Sequence, residues 1–264
     1  MHFDLTDQYQ DRPSSIHDLD PRVKLVLTIL YILGLSLTPE AAWLVFLVWF
    51  IMLLLVVWWA QLGPTYTIRR SYIAAPFIMA ALPILFILDG GRTLITLPGL
   101  GWTVSTAGFD RFFTILIRTW IGVQAGILLT VSTRFPDLIW ALDALHMPKV
   151  LVAIISFMYR YLFVLIDQSM RMRQARASRS AVSQESRRPS AIWHAKVAGM
   201  MVGSLFLRSL ERSERVYAAM ASRGYDGEMR ILNSYHMRPQ DWFGLAMGSI
   251  ILFLPLFIPF IFIR

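Results

Sequence analysis

The chain has 264 residues and no cysteine, with 56% hydrophobic against only 16% charged residues and a net charge of +8, whereas a soluble domain carries about 25% charged residues. Disulfides and thiolate metal sites are excluded, and a mean hydropathy of +0.54 gathered into long apolar runs points to a membrane protein. The basic balance would suggest nucleic acid in a soluble protein. Here the arginines lie beside apolar runs, where retention on the cytoplasmic face explains them, and no nucleic-acid partner is expected.

Residues 1–22 form a polar, mixed-charge segment. It lacks the apolar core of a cleavable signal, so the first spanning helix is expected to serve as the insertion signal. Residues 23–133 hold four apolar runs. Asp20-Pro21 supplies a capping carboxylate and a first-turn proline before the run Val23 to Leu37. Thr38-Pro39-Glu40 turns the chain into Ala41 to Ala60, and Gly63-Pro64 and Arg69-Arg70 precede Tyr72 to Leu88. Pro76 and Pro83 inside that third run predict a kink, tolerated where neighbours take up the freed carbonyls. Asp89 to Asp110 reads as a glycine-rich loop with a short extended piece at Trp102 to Ser105, and Phe112 to Val131 is the fourth run.

Residues 134–240 are expected to form a cytoplasmic-side region, before a last span in 241–264. A short helix, Asp137 to Leu145, is closed by His146-Met147-Pro148. Val150 to Ile166 is apolar enough to span, but Arg160 at its middle costs about 2.5–3.5 kcal/mol on insertion scales. With the N-terminus inside, four spans return the chain to the cytoplasm at Arg134. A crossing by 150–166 would then place Arg171, Arg173, Arg176, Arg179, Arg187 and Arg188 outside, against the positive-inside bias. A helix dipping into the cytoplasmic leaflet lets Arg160 snorkel. Ile192 to Ser222 repeats apolar residues at helical spacing and suits the same placement. The fold class is therefore an all-α integral membrane protein of five spans, six being the alternative, plus long amphipathic helices on the cytoplasmic side.

Those helices carry a repeated motif, Ala175-Arg176-Ala177-Ser178-Arg179-Ser180 and Ala219-Met220-Ala221-Ser222-Arg223-Gly224. Gly224 reads as the left-handed residue that ends a helix, putting Arg223 at the terminus. A guanidinium held there could meet a partner's carboxylate bidentately, which lysine could not reproduce. Glu211, Arg212, Glu214 and Arg215 stiffen the helix before it, with Glu211 and Arg215 spaced as an i,i+4 pair. Taken singly, each arginine could equally complement a helix C-terminus and anchor to anionic headgroups. The duplication favours a partner that grips both.

Enzyme chemistry finds no support, because the spans carry almost no ionisable groups and Arg118 stands nearly alone in the fourth. His2, His17, His146, His194 and His236 are scattered. His2 with Asp4 and Asp7 is the one weak metal candidate. The thirteen methionines read mostly as core filler, or as a surface that adapts to more than one packing.

The stretch Ser209 to Gly227, the two arginine motifs in order, and Leu19-Asp20-Pro21-Arg22-Val23-Lys24-Leu25 before the first span together resemble one family. It is the transmembrane T component of energy-coupling-factor (ECF) transporters, in particular the CbiQ-type subunit of cobalt or nickel uptake systems. The resemblance covers almost the whole chain. It implies a coupling subunit in a bacterial cytoplasmic membrane, the N-terminus inside, partnered by two cassette ATPase subunits and a small membrane substrate-binding subunit. ATP and Mg²⁺ would be bound by the ATPases and the metal by the substrate subunit, with no cofactor in this chain. Arg179 and Arg223 would be the docking arginines, flanked by Ala177, Ser178 and Ser180 and by Ala221, Ser222 and Gly224. Ser180 departs from the family's glycine, so the first helix is expected to end less sharply. Cobalt is the expected cargo, with nickel, biotin or another vitamin as alternatives; a scaffold without a transport role is the alternative of another class.

Overall fold

The first helix starts as its sequence requires. In the computed structural model the Asp20 carboxylate accepts a 2.8 Å hydrogen bond from the Arg22 amide, and Pro21 occupies the first turn of α1, Pro21–Leu37. The structure describes residues 9, 12, 14, 16–87, 92–96, 103–180, 191–227 and 237–262. His2, Asp4, Asp7, Arg187, Arg188 and His236 lie outside them. The chain divides into two compact units, Met1–Ala141 with Asn233–Arg264, and Leu142–Leu232.

The first unit is built on α1, α2 (Trp43–Trp59), a broken third run, α6 (Thr106–Ser132) and α10 (Pro239–Phe262). Close packing of α1 on α2 depends on one small residue. A Cβ on Gly34 would stand 2.7 Å from the Trp49 ring, which is fully buried. Tyr31 meets that ring edge-on, centroids 4.9 Å apart, and its hydroxyl donates to the Trp49 carbonyl at 2.8 Å. Thr38, just past α1, joins three elements. Its hydroxyl donates to the Gly34 carbonyl and accepts from the Trp49 indole, both at 3.1 Å. Its own carbonyl accepts from Arg118 of α6 at 2.6 Å. The charge of Arg118 thus holds the end of a neighbouring helix.

The N-terminal ends of α1 and α10 are tied by a buried carboxylate. Asp241 accepts from the Arg238 amide at 2.8 Å, capping its own helix, and from the Asp20 amide at 3.1 Å. Beside it, Lys24 donates to the carbonyls of His17 and Ser132 at 2.8 and 3.1 Å. Gly248 of α10 lies so near Leu27 that a Cβ would approach its methyl to 2.8 Å.

The third run is more broken than a single kink. It comprises α3 (Pro64–Arg70), a 3₁₀ turn at Ser71–Ala74, α4 (Ala75–Ala81) and α5 (Ile84–Ile87). Pro64 opens it earlier than the hydropathy suggests, and Pro76 and Pro83 each remove an amide that would continue the ladder. Ser71 at the break accepts from the Trp120 indole at 2.8 Å, which fixes the bend against α6. The glycine-rich loop holds a two-stranded antiparallel ladder, β1 (Thr93–Thr96) with β2 (Thr103–Ser105). The extended piece expected at 102–105 is therefore a strand over 103–105.

Among the described residues, three helical segments are long and apolar enough to cross a bilayer, Thr67–Ile87, Thr106–Ser132 and Lys149–Arg179, and Trp43–Trp59 is a shorter apolar helix. The last of the three bears on the expected leaflet dip, because residues 150–166 continue without a break into the basic stretch that follows. Exposed tryptophans mark both ends of α2, Trp43 and then Trp58-Trp59, as amphipathic rings do at membrane interfaces. The chain is an all-α membrane protein with one small strand pair.

Candidate functional site

The second unit opens after α7, Phe135–Ala144. That helix ends with His146 in the left-handed conformation, φ 64°, closed by hydrogen bonds that the His146 and Met147 amides donate to the Asp143 and Leu142 carbonyls. Pro148 then starts α8, Lys149–Ser180, a single helix of 32 residues. No glycine or proline interrupts residues 149–180, so nothing in the backbone marks the change from an apolar to a basic surface. Its partner is α9, Ala191–Ala221.

Residues Val164, Asp167, Arg171, Met172 and Arg176 share one face of α8, and Trp193, Val197, Met201, Arg208 and Arg212 share one face of α9. The two faces line a single cavity of about 870 Å³. The run is antiparallel at this contact. The Arg176 guanidinium stacks over Trp193 at 5.3 Å and lies 3.3 Å from Nδ1 of His194. Arg171 pairs with Asp167 one turn away.

Each helix end carries one arginine of the repeated motif, and both arginines are exposed. Arg179 lies in the last turn of α8. Arg223 lies two residues past the end of α9, and the end there is a full glycine stop. Gly224 has φ +79°, its amide donates to Ala221 at 3.0 Å, and the Tyr225 amide reaches back to Met220 at 3.1 Å. These are the two bonds of a Schellman cap. No atom lies within 4 Å of where a Cβ on Gly224 would sit, so the backbone angle alone asks for glycine.

Ser178 and Ser222 each donate to the carbonyl three residues back, Ala175 and Ala219, at 3.0 Å. Ser169, Ser204, Ser209 and Ser213 do the same, so that bond is a habit of serine in these helices rather than a mark of the motif. The side chain of Ser180 and residues 181–190 lie outside the description. Ala177 and Ala221 are exposed beside their arginines. Arg176 touches Trp193, so Arg179 lies near the start of α9 while Arg223 lies at its end. At 1.5 Å per residue those ends are about 45 Å apart along the helix.

Of the residues expected to stiffen α9, Glu211, Arg212, Glu214 and Arg215 all sit on its C-terminal half. The expected Glu211–Arg215 ion pair does not form. Ion pairs of that kind are worth little on an exposed helix, and both side chains point to solvent. The arginine-lined cavity was not anticipated. One trace of it stands in the sequence, because Arg208 and Arg212 are like charges one turn apart, an arrangement that weakens an isolated helix. Among the described residues no three His, Asp or Glu side chains gather as a metal set.

These features define a class, the all-α membrane proteins with an exposed, arginine-tipped helix pair. Residues 12–232 match the family model of the cobalt transport protein CbiQ; the chain belongs to that family, whose members are membrane components of transporters. An energy-coupling factor transporter transmembrane protein EcfT of Lactobacillus helveticus is 25% identical over 264 residues, 93% of this chain and 92% of that one. A putative fused cobalt transport protein CbiMQ of Methanocorpusculum labreanum is 28% identical over 169 residues, 61% of this chain and 27% of that longer one. An uncharacterized protein of Methanocaldococcus jannaschii is 24% identical over 240 residues, 89% of this chain and 80% of that one.

Proposed function

We propose that this chain is the coupling subunit of an ECF-type importer, with Arg179 and Arg223 as the two points at which cassette ATPases grip it. The observation that carries this is the placement of two exposed motif arginines at opposite ends of α9. A separation of about 45 Å suits two separate docking surfaces and is too long for one. Each guanidinium would enter a groove on one ATPase and pair bidentately with a carboxylate there. Approach of the two ATPases on binding ATP and Mg²⁺ would then drive the two helix ends toward each other. A pair of long helices in contact over a limited stretch converts that movement into a change of crossing. The exposed apolar side chains of α8 and α9, such as Leu162, Val202 and Phe206, would pass the motion to a separate membrane subunit that holds the substrate.

Both helices lie on the cytoplasmic side in this account. Because α9 brings Arg208 and Arg212 to the cavity that Val164 also lines, that level of α8 must reach water. An upright, fully inserted α8 would bury those arginines at a cost of several kcal/mol, which favours an oblique α8 and five spans, and the positive-inside bias favours an N-terminus inside. Cobalt is the cargo favoured by the family and by the fused relative's name. Purification of the full chain from its native membrane tests the reading. Two cassette ATPases and one small membrane protein carrying cobalt should accompany it. Nickel or a vitamin in that small protein would redirect the cargo, and absence of both ATPases would leave a scaffold instead.

A further inference from the structure

The cavity between α8 and α9 includes Arg179 in its lining, but the rest of that lining has no part in the proposed docking of ATPases. Its arginine edge and its apolar floor belong to one continuous space. Arg208 and Arg212 lie one turn apart on α9, and among the described residues neither has a carboxylate within ion-pair distance. Arg171 of α8 lines the same cavity, its charge offset by Asp167. Two unpaired like charges at i,i+4 repel each other, and an anion standing between them relieves that repulsion. Val164, Met172 and Met201 line the same space and offer nothing to a free anion.

We infer that this cavity holds the headgroup of an anionic phospholipid, with the phosphodiester between Arg208 and Arg212 and the upper acyl chain on Val164, Met172 and Met201. Charge complementarity selects an anion, and the apolar floor selects one that carries hydrocarbon. A basic cleft between helices on the cytoplasmic side of a membrane is where such headgroups bind. The N-terminal part of α8 also exposes the apolar residues Val150, Ile154 and Met158. A lipid seated there would fill the space between the two coupling helices and hold their crossing, whichever cargo the transporter carries.

The test is native mass spectrometry of the full chain in detergent, titrated with dioleoylphosphatidylglycerol or with dioleoylphosphatidylcholine. One phosphatidylglycerol should be retained in preference to phosphatidylcholine, and an equal concentration of inorganic phosphate should not displace it. Arg208→Gln with Arg212→Gln should weaken retention about thirtyfold, from the loss of two arginine–phosphate attractions. Arg208→Lys with Arg212→Lys should keep most of it and shows that the helix pair still forms. Arg173→Gln, an exposed arginine outside the cavity lining, should change nothing. Equal loss with Arg173→Gln, displacement by phosphate, or unchanged retention in the double glutamine variant would overturn the site. Loss of a co-purifying acidic polypeptide with lipid retention intact would also overturn it, in favour of a protein occupant. The readout uses the chain without ATPases, so it stands or falls apart from the docking of Arg179 and Arg223.

Discussion

Replacing Gly224 with alanine perturbs one of the two proposed docking points without touching its arginine. The φ of +79° there costs an L residue about 1–2 kcal/mol. With nothing within 4 Å of the added Cβ, no packing loss is superimposed. The exposed end of α9 can shed that strain by fraying, which gives up the amide bonds of Gly224 to Ala221 and Tyr225 to Met220. Docking would have to rebuild the turn, so the strain reappears as lost affinity, about five- to thirtyfold for 1–2 kcal/mol. Surface-bound chain titrated with purified ATPase subunits gives the ratio directly. Gly224→Asn is the discriminating control, because asparagine tolerates the left-handed region far better than alanine, and it should lose less than half as much binding energy. Wild-type affinity in Gly224→Ala, or equal losses in the two variants, would refute the claim that the glycine stop positions Arg223.

Three further outcomes follow from the geometry. Asp241→Ala leaves the buried Asp20 amide and the part-buried Arg238 amide without their shared acceptor and should destabilise the first unit by about 2 kcal/mol, read as an earlier thermal transition in detergent. Gly34→Ala should cost about 1–3 kcal/mol by overpacking Trp49, whereas Gly199→Ala on α9, with open space around it, should be neutral or stabilising by about 0.5–1 kcal/mol. The absence of native cysteine makes single-cysteine labelling clean. With a membrane-impermeant maleimide, Ser213→Cys should react only in inside-out vesicles and Glu40→Cys only in intact cells, and labelling of Ser213→Cys from outside would put α9 on the wrong face.

Where the sequence punctuates itself, its element boundaries match the structure. Asp20-Pro21 opens α1, Gly63-Pro64 separates α2 from α3, and His146-Met147-Pro148 divides α7 from α8, because each places a cap or a missing amide at one defined residue. The continuity of α8 was harder to read. Hydropathy changes sharply between Ile166 and Arg171, and it divides a surface that the backbone does not. The fragmentation of the third run exceeded a kink because the Ser71–Ala74 turn depends on Trp120 of a distant helix. Gly224 was legible as a left-handed stop, since a glycine behind an arginine-ended helix has few other uses. The cavity was not, because Val164 and Arg208 come together only when α8 faces α9. The expected Glu211–Arg215 pair failed for the converse reason: spacing permits a contact, while solvent removes the drive to make it.

The proposed coupling needs two arginines at the two ends of one helix pair to act as separate grips. Energised uptake of the cargo, measured in vesicles with Arg179→Ala, Arg223→Ala and the double variant, tests that most directly, with the amount of co-purifying ATPase determined on the same samples. Each single variant should retain one grip and a reduced rate, and the double variant should lose both ATPase association and ATP-dependent uptake. Uptake and association at the unsubstituted level in the double variant would contradict the account.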